Sequence, residues 1–92
     1  MKDKALRMAA AVADDEAQHR GHEYVCVEHL LYGLLDDDYG REILVRCGAD
    51  LEHLRHNLEE FFKELPVVKR PGHMPQRTVG LERVLARAYL HV

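Results

Sequence analysis

The sequence predicts an all-α protein of 92 residues, and three observations lead to this prediction. Apolar residues recur with helical spacing along most of the chain, no run alternates in the manner of a strand, and glycine and proline stand between the periodic segments. The apolar content of 47% is ordinary for a globular protein, and the length suits one small domain with a modest core. We therefore expect one helical domain.

The first predicted helix covers about residues 3–19. It ends at Gly21, because glycine readily adopts the left-handed conformation that terminates helices. The apolar stripe expected to face the core consists of Leu6, Ala9, Ala10, Ala13 and Ala17.

Three further helices complete a predicted four-helix unit. The second covers about residues 27–35, and the third covers 41–47 after a turn and ends at Gly48. Asp50 is expected to cap the fourth, which Pro66 closes. The apolar faces of the second and fourth helices consist of Leu30, Leu31, Leu34, Leu35, Leu51, Leu54, Leu58, Phe61, Phe62 and Leu65.

A fifth helix follows a connecting loop at residues 66–77 that holds all three prolines. Thr78 can cap this helix, which runs from about Val79 to the end of the sequence and resembles the first helix in character. We interpret residues 1–65 as one repeat and residues 78–92 as the first helix of an incomplete second repeat. Its apolar side is expected to lack partners and to favour self-association; it consists of Leu81, Leu85, Ala88 and Val92.

Charge and cysteine content narrow the class of protein. Thirteen basic and sixteen acidic residues give a formal charge of -3, which argues against a nucleic-acid-binding module. Cys26 and Cys47 do not make a disulfide framework, so a reducing, cytoplasmic compartment is expected. The N-terminal segment has interspersed charges and predicts neither a signal peptide nor a membrane span.

Seven histidines raise the possibility of a metal site. His19 and His22 are three residues apart, as are His53 and His56, a spacing that can place two side chains on one helical face. A catalytic zinc site needs three protein ligands, and the sequence has no HExxH motif. We therefore interpret these histidines as solvated surface residues.

Cys26 and His29 could in principle form a thiol nucleophile, because they are three residues apart at a helix start. The negative charge of nearby Glu28 would raise the pKa of the thiol, and no third orienting group is identifiable. The sequence also lacks GxxxxGK[ST] and GxGxxG nucleotide motifs. No enzymatic activity is predicted, and a small metal-dependent or thiol enzyme stays as an alternative.

An interaction surface is better supported around the start of the second helix. Glu23, Tyr24 and Glu28 lie there, and the two carboxylates could meet basic groups of a partner. Glu28 in the first turn also stabilises the helix dipole by ~0.3–1 kcal/mol. Because Glu23 precedes the helix, the dipole explains its presence less well.

Three segments carry a family resemblance: "HEYVCVEHLLYGLL", "REILVRCGADLEHLRHNLEEFF" and "QRTVGLERVLARAYLHV". Together they resemble the N-terminal repeat domain, Clp-N, of the AAA+ Clp unfoldases over nearly the whole chain. "HEY", "CGADLEHLR" and "RAYLHV" are most similar to the ClpA type. The chain departs from the family pattern at Cys26, where a capping Thr or Ser is usual, and in its shortened second repeat.

The resemblance implies a Clp-N-type helical repeat with one four-helix unit and the first helix of a second. It implies a non-catalytic, cytoplasmic docking domain for a ClpS-type adaptor and protein substrates, connected to the ClpP peptidase only through a parent unfoldase. ATP and Mg²⁺ would bind in ATPase modules of that parent, and no cofactor is expected here. A free-standing Clp-N-like adaptor or competitor is the alternative. The partner contacts implied, together with Tyr24 beside them, are Glu23, Glu28, Thr78 and Arg83.

Overall fold

The computed structural model describes residues 3–90 and confirms the all-α fold class. Two very short strands accompany five helices in this part of the chain, and none of these helices is long and apolar enough to cross a membrane. The helices are α1 Asp3–His19, α2 Val27–Leu35, α3 Asp38–Arg46, α4 Leu51–Glu64 and α5 Val79–Leu90. The strands are β1 Tyr24–Val25 and β2 Gln76–Arg77.

Most helix ends lie where the sequence predicts them. Gly21 and Gly48 follow α1 and α3 with positive φ angles of 73° and 90°, and each takes part in the paired backbone hydrogen bonds that terminate a helix. Asp50 caps α4, because its carboxylate accepts a hydrogen bond from the backbone N–H of His53 at 3.1 Å. These ends are local features, so the sequence alone is sufficient to predict them.

The prediction for the third helix is wrong at its beginning. We expected residues 41–47, whereas α3 begins at Asp38 and ends at Arg46. Asp37 is the N-cap, and its carboxylate accepts a hydrogen bond from the backbone N–H of Gly40 at 2.7 Å. Three consecutive aspartates offer several possible caps, and only the packing of α3 against α2 selects among them.

The two strands form a parallel pair that the sequence did not predict. The carbonyl of Val25 accepts a hydrogen bond from Thr78 N–H at 2.9 Å, and that of Glu23 accepts one from Gln76 N–H at 3.3 Å. This pair fixes the proline-containing loop beside the start of α2. The candidate functional site is therefore assembled from segments that are far apart in sequence.

The core consists of two clusters that share α2. The first joins α1, β1, α2 and α5, and the second joins α2 and α4, with the partly buried Leu44 of α3 against it. The buried members of the first cluster are Leu6, Ala9, Ala10, Ala13, Ala17, Val25, Leu30, Leu81 and Leu85. Those of the second cluster are Leu35, Leu58 and Phe62.

The predicted self-association face of α5 requires correction. Leu81 and Leu85 are 0% and 2% exposed, because they pack into the first core cluster. Ala88 is partly buried against the same cluster, and Val92 lies outside the described residues. Residues of α1, β1 and α2 cover this face, so these leucines are not available to a second copy. The division at residues 65 and 77 stays a prediction.

The loop arginines do not form a basic patch. Arg77 binds Asp14 of α1 through two hydrogen bonds of 3.1 and 2.8 Å, which fixes the end of β2 against α1. The positive charge of Arg77 is therefore offset within the fold.

Gly33 is expected to be essential for the close packing of α1 on α2. A Cβ atom at this position would lie 2.5 Å from the backbone carbonyl oxygen of Ala9, a distance that requires the helices to separate. We expect Gly33→Ala to lower the free energy of unfolding by about 1–3 kcal/mol, as overpacked cores do. Urea denaturation followed by circular dichroism measures this loss.

Gly80→Ala is the matched control, because a Cβ there has no neighbour closer than 3.8 Å and the residue is exposed on α5. Removing a helical glycine should leave stability unchanged or raise it by up to about 1 kcal/mol. Equal effects of the two substitutions would show that α1 and α2 do not approach this closely.

Candidate functional site

An apolar pocket of about 350 Å³ lies where β1, the start of α2 and the end of α4 meet. Phe61, Leu65 and Pro66 line it from the side of α4 and the loop that follows. Tyr24 lines it from β1. A pocket of this size and character can receive apolar side chains of a partner protein.

The structure brings together four of the five residues that the sequence singled out. Glu23, Tyr24, Glu28 and Thr78 all line this pocket, although Thr78 is fifty residues beyond Glu28 in the chain (78 − 28). Arg83 does not line it. It belongs to a separate shallow groove of about 500 Å³ on α5, whose other lining residues are Val84, Ala86, Arg87 and Leu90.

The two carboxylates differ in their surroundings. Glu23 precedes α2 and is exposed, as expected. Glu28 is half-buried in the first turn of α2, where its carboxylate interacts with the thiol of Cys26 and with the helix dipole. The pocket therefore has one freely accessible negative charge and a second that is partly held by the fold.

Thr78 confirms its predicted role as the N-cap of α5. Its Oγ1 atom accepts a hydrogen bond from Leu81 N–H at 3.0 Å, while its own backbone N–H donates to Val25. The hydroxyl proton is not used in this cap. Thr78 can therefore donate a hydrogen bond to a partner without losing its structural role.

Cys26 and His29 form an unusual start to α2 beneath the pocket. The backbone N–H of Cys26 donates to Nδ1 of His29 at 3.0 Å, the place taken by Glu or Gln in a capping box. Because Nδ1 accepts this bond, the proton of the neutral ring is assigned to Nε2. Nε2 then donates to Nδ1 of His22 at 2.8 Å.

The prediction that His22 is a solvated residue is wrong. His22 is 3% exposed and His29 is 0% exposed, and Phe62 lies against both rings. Burial lowers the pKa of each histidine, that of His29 to about 4, and the nearby Arg20 guanidinium acts in the same direction. The pair is therefore neutral near pH 7 and joins the segment before β1 and the start of α2 to α4.

The geometry does not favour the thiol or the metal alternative. Burial, followed by the interaction with Glu28, raises the pKa of Cys26 above its usual value, which is the opposite of what a nucleophilic thiol needs. No cluster of three or more His, Cys, Asp or Glu side chains suited to a metal ion occurs within residues 3–90. His19, His53 and His56 are exposed.

Sequence reasoning missed the apolar wall of the pocket. Phe61 and Leu65 are four residues apart and were assigned to the core face of α4, but both are only half-buried and both line the pocket. The i, i+4 spacing of two large apolar residues just before Pro66 was the available signal. Periodicity gives the face of a helix, whereas the exposure of that face depends on the packing of other elements.

The amino-acid sequence is similar to one family model and to known proteins whose names agree with that family. The sequence model of one family, described as the Clp repeat (R) N-terminal domain, matches residues 3–92. The chain is 31% identical to a ClpA homolog protein of Fuscovulum blasticum over 98% of its own length and 11% of that protein. It is also 30% identical to the chaperone protein ClpB of Prochlorococcus marinus over 67% of its length and 7% of that protein. The chain thus spans about a tenth of these relatives.

Proposed function

Because the chain belongs to the Clp repeat (R) N-terminal domain family, we propose that it is the docking domain of a ClpA-like ATP-dependent unfoldase. In this proposal a ClpS-type adaptor and protein substrates bind at the apolar pocket. The ClpP peptidase would act only through the parent unfoldase, whose separate modules would bind ATP and Mg²⁺. The expected compartment is the cytoplasm.

The observation that carries the proposal is the grouping of Glu23, Tyr24, Glu28 and Thr78 around one apolar pocket. The apolar wall can contribute affinity by removing a partner's side chain from water. The carboxylates can orient a partner with basic groups and accelerate its association. A protein with an apolar residue flanked by basic residues has the complementary surface.

We also propose that the domain carries out no catalysis of its own. The raised pKa of the Cys26 thiol supports this, because the thiolate is the reactive form of cysteine. Arg83 is proposed as a second, independent partner contact, since it lies on α5 outside the pocket and is exposed.

Glu23 and Glu28 form the acidic rim of the apolar pocket, and neutralising both is expected to weaken adaptor binding. The double variant Glu23→Gln and Glu28→Gln should raise the Kd for a ClpS-type adaptor by roughly tenfold, because each charge pair at an accessible rim contributes about 0.2–1 kcal/mol or somewhat more. Glu23→Gln alone should weaken binding through slower association at low salt. Isothermal titration calorimetry and stopped-flow fluorescence measure the two quantities.

Glu52→Gln with Glu64→Gln is the matched control, because both side chains are exposed on α4 and neither lines the pocket. This variant has the same net charge as the rim variant, so a general charge effect would appear in both. The proposed site is refuted if the rim variant folds normally and binds the adaptor as tightly as the unmodified chain.

A further inference from the structure

A polar cleft of about 280 Å³ adjoins the apolar pocket and shares Glu23 and Tyr24 with it. The remaining lining residues belong to the proline-containing loop and β2: Arg70, His73, Met74 and Gln76. The parallel pairing of β1 with β2 holds these loop residues beside β1. The cleft and the pocket therefore lie side by side on one surface, with Tyr24 and Glu23 between them.

A tight turn over residues 70–73 positions the side chains of Arg70 and His73, which both line the cleft. The backbone N–H of His73 donates to the carbonyl of Arg70 at 3.2 Å, and Gly72 has a φ angle of 75°. Pro71 and Gly72 occupy the positions that proline and glycine take in a type II turn. Both ends of the turn are thus fixed relative to each other.

Within this turn, the side chains of Arg70 and His73 interact but leave donors unused. Nη2 of Arg70 lies 3.3 Å from Nδ1 of His73 and donates to it, so the ring proton of neutral His73 is on Nε2. That Nε2 atom is buried and has no hydrogen-bond partner in the described part of the chain. Because this atom is covered by the protein, the side chain of Arg70 is the donor of the pair that a ligand in the cleft can contact.

Arg70 also makes no ion pair with another described residue, although the carboxylate of Glu23 lines the same cleft. No carboxylate between residues 3 and 90 lies within ion-pair distance of its guanidinium, in contrast to Arg20 and Arg77. The cleft therefore presents one permanent positive charge, that of Arg70, while the Nε2 atom of His73 is covered by the protein itself. An anionic group with two acceptor oxygens fits this arrangement, because it can accept two parallel N–H bonds from one guanidinium.

We propose that this cleft binds the carboxylate of an Asp or Glu side chain from the docking partner. A single carboxylate suits one guanidinium better than a doubly charged phosphate does, because Glu23 lines the same cleft and repels added negative charge. A chain-terminal carboxylate is usually held by backbone N–H groups, but the amides of His73 and Gln76 already donate to Arg70 and Glu23.

The inference rests on the proposed docking function and specifies the partner further. Because the cleft adjoins the apolar pocket, the partner segment would place an acidic residue close to an apolar residue. Glu23 and Arg70 then have opposite effects on the acidic residue. For an isolated acidic peptide, which lacks the basic groups expected of the adaptor, Glu23→Gln should strengthen binding, whereas Arg70→Gln should weaken it.

Three synthetic peptides test the proposal directly by ¹⁵N NMR titration of the whole chain. The first is acetyl-Leu-Gly-Glu-Gly-amide, the second has Gln in place of Glu, and the third is the Gln peptide with a free C-terminal carboxylate. We expect the Glu peptide to bind about threefold to tenfold more tightly than the Gln peptide, with the largest shift changes at Arg70 and His73. Arg70→Gln should remove this preference.

Lys69→Gln is the matched control, because Lys69 is an exposed neighbouring cation that does not line the cleft. It should leave the preference for Glu intact. Equal binding of the Glu and Gln peptides, no binding of any peptide, or a preference unaffected by Arg70→Gln would overturn the proposal. Tighter binding of the free-terminus peptide than of the Glu peptide would overturn the choice of a side chain.

The adaptor titration separates this inference from the proposed function. If the ClpS-type adaptor fails to bind while the Glu preference depends on Arg70, the proposed function fails and the carboxylate site stands. If the adaptor binds through Glu23 and Glu28 but no Glu preference is seen, the docking function stands and the cleft assignment fails.

Discussion

Phe62→Ala is expected to lower the free energy of unfolding by about 3–5 kcal/mol, the cost typical of truncating a buried aromatic residue. Phe62 is 2% exposed and is the largest fully buried side chain in the described part of the chain. Its ring stacks on His29 at a centroid distance of 4.7 Å, and the Arg20 guanidinium lies 4.8 Å from its centroid. Removal would leave a cavity and expose the buried histidine pair to water.

Arg20 extends the consequences of this substitution beyond the cavity. The guanidinium binds Glu16 at 2.6 Å and Glu59 at 2.9 Å, so it connects α1 with α4 across the face of Phe62. Loss of the ring removes the cation–π contact that helps to hold Arg20 between these carboxylates. The expected loss of stability is therefore in the upper part of the range for a single aromatic truncation.

Urea denaturation of Phe62→Ala and Phe61→Ala separates a core role from a surface role. Phe61 is half-buried and lines the apolar pocket, so its truncation should cost less stability and should weaken adaptor binding in the folded protein. If the two variants lost the same stability, the assignment of Phe62 to the core and Phe61 to the pocket would be incorrect.

The burial of His29 is expected to make stability fall by about 3 kcal/mol as the pH decreases from about 7 to about 4. In the folded protein the pKa of His29 is lowered from 6.5 to about 4, chiefly by burial and then by the charges of His22 and Arg20. The unfolded chain binds a proton in this range, whereas the folded chain excludes it. The stability that depends on keeping His29 neutral is therefore complete above pH 6.5 and is lost as the pH falls towards 4.

The pKa of His22 is lowered in the same direction, mainly by burial, with the carbonyl of Phe62 opposing the shift. Its titration adds to the pH dependence, and because the two rings share a hydrogen bond they titrate as a pair. Unfolding free energies from urea titrations at several pH values between about 4.5 and 7.5 measure the slope that linkage predicts.

Two variants isolate the contribution of the pair. His29→Gln places at the same helix position a residue that can accept from Cys26 N–H, as in an ordinary capping box, but cannot titrate. Its stability should fall less steeply between pH 6.5 and 4. His53→Gln with His56→Gln removes two exposed histidines and should keep the full slope. If the pH dependence of stability disappeared only in the variant with His53→Gln and His56→Gln, its assignment to the buried histidine pair would be contradicted.

The sequence by itself was sufficient for the features that depend on neighbouring residues. Helical periodicity, the glycine ends at Gly21 and Gly48 and the caps at Asp50 and Thr78 are local, because each involves contacts within a few residues. The acidic residues at the start of α2 were also identified from sequence, through their position and the family resemblance. Their proposed role in binding stays a prediction.

Only the tertiary structure decided which surfaces are exposed. Leu81 and Leu85 were expected to be uncovered and are buried, while His22 was expected to be solvated and is buried beside His29. The apolar pocket and the polar cleft depend on the pairing of β1 with β2, which joins segments about fifty residues apart (76 − 24). Such contacts are absent from any local pattern, because they form only when the core packing of distant helices brings the segments together.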